Sequence, residues 1–208
     1  MTTSPDGVDR LEHQLAFLLE VDRLKQVERQ TSIVGDLRRE NTAEHSWHLA
    51  MFALVLAEWS DDPVDLTKVL ALCLVHDLVE IDAGDTFAYD TSGSATKATR
   101  ERAAAERLFA LLPPDQGAWF HDLWLEYEAM ETPESRFANA VDRLQPVMLN
   151  HIAGEQSPWV RHRVTHLQIV ARNTPISLGS QALWEAARRR IDEVHGRGLL
   201  RCDDSTND

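Results

Sequence analysis

Apolar residues recur along most of this chain with a spacing of three and four, the period of a helix with one buried face, and no segment alternates convincingly with the period of two that marks a strand. Leu11, Leu15, Leu18, Leu19 and Leu24 line one face of a first predicted helix, roughly Asp9 to Glu28. A second starts near Asn41, whose side chain can cap it with Glu44 as reciprocal partner, and its apolar positions run through Trp47, Met51, Leu54 and Val55 to Trp59. Asp62 and Pro63 predict the start of a third, "VDLTKVLALCLVHDLVEI", ended by Gly84 and apolar all round in its middle, so central in the core. Asp82 to Ala95 lacks periodicity and reads as a loop. Further helices are predicted near Lys97 to Leu112, Asp115 to Met130, Pro133 to Ala153 and Ser177 to Gly198, with a shorter one around Val160 to Ala171. The expectation is an all-α, single-domain bundle of about six to eight helices over 9–200, with disordered tails at 1–8 and 201–208.

Composition narrows the function classes. With 208 residues, 43% hydrophobic and 26% charged, the chain is an ordinary globular one. Lys+Arg 21 against Asp+Glu 34 gives a net charge of -13, which repels a phosphate polymer and argues against nucleic acid as the main partner, while leaving room for a small phosphorylated ligand at a local basic cluster. Two cysteines, Cys73 in an apolar helix and Cys202 in a polar tail, do not form a disulfide framework; with no secretory signal and no apolar run long enough for a membrane, the expected location is the cytoplasm. Neither a Walker-type phosphate loop nor a dinucleotide fingerprint is present.

Against this background, ionisable residues in apolar surroundings stand out. On the third predicted helix His76 and Asp77 are adjacent, and Glu80 lies four and three residues beyond them, so the three share one edge. An unpaired carboxylate is costly to bury, and a divalent cation can stabilise several at once; the plain alternative is a satisfied His-Asp pair. His45 falls in the first turn of the second helix, where a lone histidine is more often structural. Asp142 interrupts the apolar face of Phe137, Val141, Leu144 and Met148, with a salt bridge to Arg143 or Arg136 as its ordinary explanation. Taken together they offer two nitrogen and two carboxylate donors from three helices.

Three blocks in succession, "RRENTAEHSWHLA", "HDLVEIDAGD" and "DRLQP", resemble those of the HD-domain metal-dependent phosphohydrolases, nearest to the bacterial 5'-deoxynucleotidase branch, over Leu11 to about Leu200, most of the chain. The resemblance implies a metal-dependent phosphomonoesterase for nucleoside 5'-monophosphates or a similar small ester, acting through metal-activated water. It implies His45, His76, Asp77 and Asp142 as metal ligands, and Glu80 and Asp85 as catalytic carboxylates. The ion is one divalent transition metal, with Mn, Co, Fe and Zn all compatible with this ligand set. Something basic must bind the remaining phosphoryl oxygens, and Arg38 and Lys97 are the candidates. The branch carries an Arg-Trp pair upstream that selects deoxyribose; Gln30 and Thr31 stand near those positions here. His48 lies outside the ligand pattern and is expected to pack or support a ligand. A homodimer is the expected assembly. The alternatives are a di-iron oxygenase, for which only His48 and His121 could supply further ligands, and a catalytically silent helical protein that binds a partner.

Overall fold

The segment Pro133 to Ala153 folds where its pattern predicts. Thr132 caps helix α7 (Pro133–Ala153): its hydroxyl accepts from the Ser135 amide, Ser135 returns the bond to the Thr132 amide, and Pro133 takes the first helical position. The computed structural model describes residues 5–36 and 38–201. In it α7 is the central pillar, with Phe137, Ala140 and Val141 fully buried. Packed on α7 are α2 (Thr42–Leu56), α3 (Leu66–Val75), α6 (Pro114–Ala129) and α10 (Gln181–Gly196). Helices α1 (Pro5–Val21) and α5 (Thr91–Phe109) complete the other side, joined to α6 in part by Phe17 against Phe120, with ring centroids 5.2 Å apart. Two shorter helices, α8 (Pro158–Arg161) and α9 (His166–Asn173), lie between α7 and α10 in the chain. Gly179 allows the chain entering α10 to cross α7 closely, since a Cβ there would sit 2.5 Å from the Arg136 carbonyl oxygen. The mostly helical bundle is as the periodicity predicts.

Several local expectations are corrected. The first helix ends at Val21 rather than near Glu28; a 3₁₀ turn over Asp22–Gln26 follows, then strand β1 (Glu28–Ser32) pairs antiparallel with β2 (Arg39–Asn41). Five and three residues with no clean alternation give no period-two signal, and their pairing is interrupted between Glu28 and Ser32, so only tertiary context reveals the hairpin. Asp65, not Asp62, caps α3. The long loop is shorter than expected, because α4 (Glu80–Ala83) extends to Ala83 and α5 already begins at Thr91. The tails expected at 1–8 and 201–208 lie largely outside the described residues, although α1 begins at Pro5 and Arg201 bridges Thr165.

Two apolar faces point outward instead of into the core. On α1, Leu11, Leu15, Leu18 and Leu19 are exposed and Phe17 is the buried residue. On α2 the apolar row of Trp47, Met51, Leu54 and Val55 faces away from the bundle, while His45, Ser46, Leu49 and Ala53 face in.

The third predicted helix is interrupted where the chemistry was anticipated. After Val75 it tightens into a 3₁₀ turn, His76–Val79, before α4. In such a turn residues three apart eclipse, so Asp77 and Glu80 come onto one edge. Gly84 then takes φ +71°, a conformation that favours glycine, and its amide bonds the Glu80 carbonyl at 2.8 Å, turning the chain so that Asp85 reaches the same cavity.

Candidate metal centre

His45 leaves the first turns of α2 toward α7, His76 and Asp77 come from the 3₁₀ turn, and Asp142 projects from the middle of α7. The structure brings all four together. His45 Nε2 lies 2.9 Å from Asp142 Oδ1 and 3.7 Å from Asp77 Oδ2; His76 Nε2 lies 3.1 Å from Asp77 Oδ2 and 3.8 Å from Asp142 Oδ1. One donor atom each from His45, His76 and Asp142 falls within 4.8 Å of the others, close enough to share a cation. The ordinary explanation for Asp142 does not hold: Arg136 pairs with Asp62, and Arg143 donates to the Arg172 carbonyl.

The rear of each imidazole is held so that Nε2 faces this group. His76 Nδ1–H donates to the Cys73 carbonyl at 3.0 Å, and His45 Nδ1–H to Gln145 Oε1 at 3.2 Å. Both acceptors are oxygens without a proton, which leaves the Nε2 lone pairs for a ligand. The Gln145 amide nitrogen in turn donates to Glu40 Oε2 at 2.9 Å and to His48 Nδ1 at 3.2 Å. His48 thus supports His45 through Gln145, and burial keeps its pKa below the ordinary imidazole value. His76 Nε2 is buried and accepts no hydrogen bond, an orphaned ligand atom beside two carboxylates. Burial alone would lower the His76 pKa, but Asp77 and Asp142 outweigh it and push it up to about 10: a proton is attracted to the place where the donor set suits a divalent cation. Two imidazoles and two carboxylates fit a transition metal.

The carboxylates divide by environment. Burial opposes ionisation of Asp77, yet His76 and then Arg29 hold it well below the usual range. Glu80 goes the other way: burial, and then the Asp77 charge, raise it well above the ordinary value, while Thr42 donates a 2.9 Å hydrogen bond to its Oε2. Burial likewise raises Asp85 against the opposing pull of Arg29.

Arg29, which the sequence pattern did not single out, is a cation of the site. It lies on β1, with Nη1 3.2 Å from Asp77 Oδ2 and 3.9 Å from Asp85 Oδ1, and Nε 3.3 Å from Glu40 Oε1 on the neighbouring strand. Burial disfavours its charge, but the carboxylates around it raise its pKa. An arginine therefore does reach the site from the segment where the Arg-Trp pair was sought, and Gln30 follows it. The cue available in sequence was a lone Arg in "ERQTS", without a helical period to give it a face.

A cavity of about 130 Å³ opens over this group, with Arg29, Asp77, Glu80, Asp85, Lys97 and Asp142 at its charged end. Lys97 lines the cavity and pairs with Glu101 at 3.4 Å. Arg38 is not brought there. It forms a two-pronged pair with Glu44, 2.9 Å at each contact, on the exposed rim of the α2 cap. His121 sits on α6 against Phe109 and Trp124, outside the metal group, so the histidines a di-iron site would require are not assembled among the described residues. Cys73 is fully buried, and burial raises its thiol pKa, which makes it a packing residue.

The HD domain family matches residues 21–184, more than three quarters of the chain. The chain belongs to that family. It is 30% identical over 135 residues to the human 5'-deoxynucleotidase HDDC2, a match covering 64% of this chain and 65% of the human protein, just under two thirds. A crystal structure of a protein from Magnetospirillum magnetotacticum, described as a predicted metal-dependent phosphohydrolase, superposes with a TM-score of 0.88 at 48% identity, covering 93% of this chain and 96% of that one. The Pyrococcus horikoshii protein PH0347 shares the fold at 20% identity and a TM-score of 0.51, over 89% of this chain and 95% of its own.

Proposed function

We propose that this protein is a metal-dependent phosphomonoesterase that hydrolyses nucleoside 5'-monophosphates or closely similar small esters. The observation that carries this reading is the orphaned Nε2 of His76 beside His45, Asp77 and Asp142, opening on a cavity that also presents Glu80, Asp85, Arg29 and Lys97. The relatives' names, a 5'-deoxynucleotidase and a metal-dependent phosphohydrolase, support the same chemistry.

His45, His76, Asp77 and Asp142 would hold one divalent ion, Mn, Co, Fe or Zn. When bound, such an ion lowers the pKa of a water and polarises a phosphoryl oxygen. Glu80, held by the Thr42 hydroxyl, orients the attacking water and takes its proton. Arg29 and Lys97 line the cavity where the other phosphoryl oxygens of a bound ester would lie, a role that replaces the one expected of Arg38. Asp85 lies within 4 Å of Arg29, so it can position that guanidinium and assist the departing oxygen. The exposed apolar row on α2 supports the homodimer expectation, its occupant being a second copy of the chain. Among the described residues no helix is long and apolar enough to cross a membrane, and the buried free thiol of Cys73 is in keeping with a reducing cytoplasm.

A phosphate-release screen over nucleotides, sugar phosphates and other monoesters, each with Mn²⁺, Co²⁺, Fe²⁺ and Zn²⁺, tests the reading. Nucleoside 5'-monophosphates should lead, and Glu80→Gln should keep the metal while losing about 10²-fold or more in kcat. Absence of phosphate release with every ester and metal would refute it; unchanged kcat in Glu80→Gln would remove Glu80 from the chemistry.

A further inference from the structure

Beyond the carboxylates the cavity runs along α7 to a second polar end that neither the metal group nor Glu80 uses. Asn150 lies eight residues past Asp142 on that helix, about 12 Å along its axis at the usual rise. That is comparable with the reach from a 5'-phosphorus to the far edge of its nucleobase. Asn150 lines the cavity, is only 5% exposed, and its Oδ1 has no hydrogen-bond partner. A buried acceptor left unpaired needs a donor from somewhere. Three aromatic side chains, Phe87, Tyr89 and Trp159, line this cavity among its polar groups. Phe87 is held in place by the His162 ring, 4.5 Å away, which in turn bonds Gln30 at 3.1 Å.

A slot with aromatic walls and one unpaired acceptor at its far end suits a planar ring bearing an amino group. A second anion suits it less well. Arg143 and Arg172 also line the cavity, but Arg143 Nη1 donates to the Arg172 carbonyl at 3.0 Å, and the orphaned Asn150 oxygen would repel an anionic oxygen at its end. We infer that, given the nucleotidase reading above, Asn150 is a specificity-determining residue whose Oδ1 accepts from the exocyclic amino group of the base, so that adenine and cytosine 5'-monophosphates are preferred to thymine or uracil ones.

The Mn²⁺-loaded full chain is assayed with deoxyadenosine 5'-monophosphate, with its analogue lacking only the 6-amino group, and with thymidine 5'-monophosphate. kcat/KM for the amino-bearing nucleotide should exceed that for the other two about tenfold. In Asn150→Leu, with unchanged helical circular dichroism, the preference should fall to near one. The same ratio should appear in calorimetric Kd values measured on Glu80→Gln protein. The two-substrate comparison on wild type needs no variant to fold, and Asn150→Ser gives a milder second variant. Equal kcat/KM for all three nucleotides, a preference that persists in Asn150→Leu, or a marked preference for a nucleoside bisphosphate would each overturn the assignment while leaving the nucleotidase reading intact. Hydrolysis of other monoesters with no nucleotide accepted would instead remove the nucleotidase reading and this inference with it.

Discussion

Helices α2 and α7 both carry a site residue and both show an apolar row at helical spacing, yet they orient that row oppositely. On α7 the row of Phe137, Val141 and Leu144 turns into the core and Asp142 is carried to its edge. On α2 the row of Trp47, Met51, Leu54 and Val55 turns to solvent, and the buried face is the smaller, more polar one bearing Thr42, His45, Ser46, Leu49 and Ala53. The difference follows from what each face must reach. His45 has to meet Asp142 and Gln145 across a close approach to α7, and Ser46 and Ala53 permit it, whereas a tryptophan at that interface would hold the helices apart. An apolar row identifies a face that would gain from burial; it does not identify what buries it.

Removing the metal group from between the two helices should have the largest effect. Asp77→Ala, which deletes one of the two carboxylates within reach of both imidazoles, is expected to abolish metal retention and turnover while leaving the chain helical; metal analysis, phosphate release and circular dichroism check the three parts. Retained stoichiometric metal with full turnover would show that the centre lies elsewhere. Leu49, fully buried on the inner face of α2, should cost about 2–5 kcal/mol as Leu49→Ala, read from denaturant unfolding with the metal removed. A cost under 1 kcal/mol would mean that the inner face is not the packed one. Gln145 joins the two helices behind His45, so Gln145→Leu should weaken metal binding about 10–100-fold with little change in the global fold, measured by chelator competition. Unchanged affinity would reduce Gln145 to packing. Smallest of all, Val55→Ser on the outer face should shift the unfolding free energy of the monomer by no more than about 0.5 kcal/mol, and sedimentation should show weaker self-association if a second copy covers that face.

Much of the site was legible before any tertiary structure because its residues break local rules. Adjacent His76 and Asp77 after an apolar run, and Asp142 within an apolar face, are placements that packing alone does not favour, and His45 joined them through the order of the three blocks. Arg29, Glu40 and Gln145 broke no such rule. The first two lie on strands too short to carry a pattern, and Gln145 resembles any polar residue on a helix until its amide is seen holding His45, His48 and Glu40 at once. Arg38 went astray for the complementary reason: proximity in sequence suggested the site, but Glu44 claims it.

By itself the sequence determined that the chain is helical, where α7 begins and ends, that a metal-suited set of imidazoles and carboxylates exists, and that the net charge of -13 disfavours a polyanionic partner. Periodicity, capping and charge are properties of neighbours along the chain, so they can be read there. The tertiary structure alone decided which face of α2 is buried, that the helix bearing His76 tightens into a 3₁₀ turn, that a hairpin delivers Arg29 and Glu40, and that the Asn150 Oδ1 lining the cavity is left without a partner. Each of those outcomes is a competition between groups distant in sequence for one partner or one volume, and it is settled only when they are brought together.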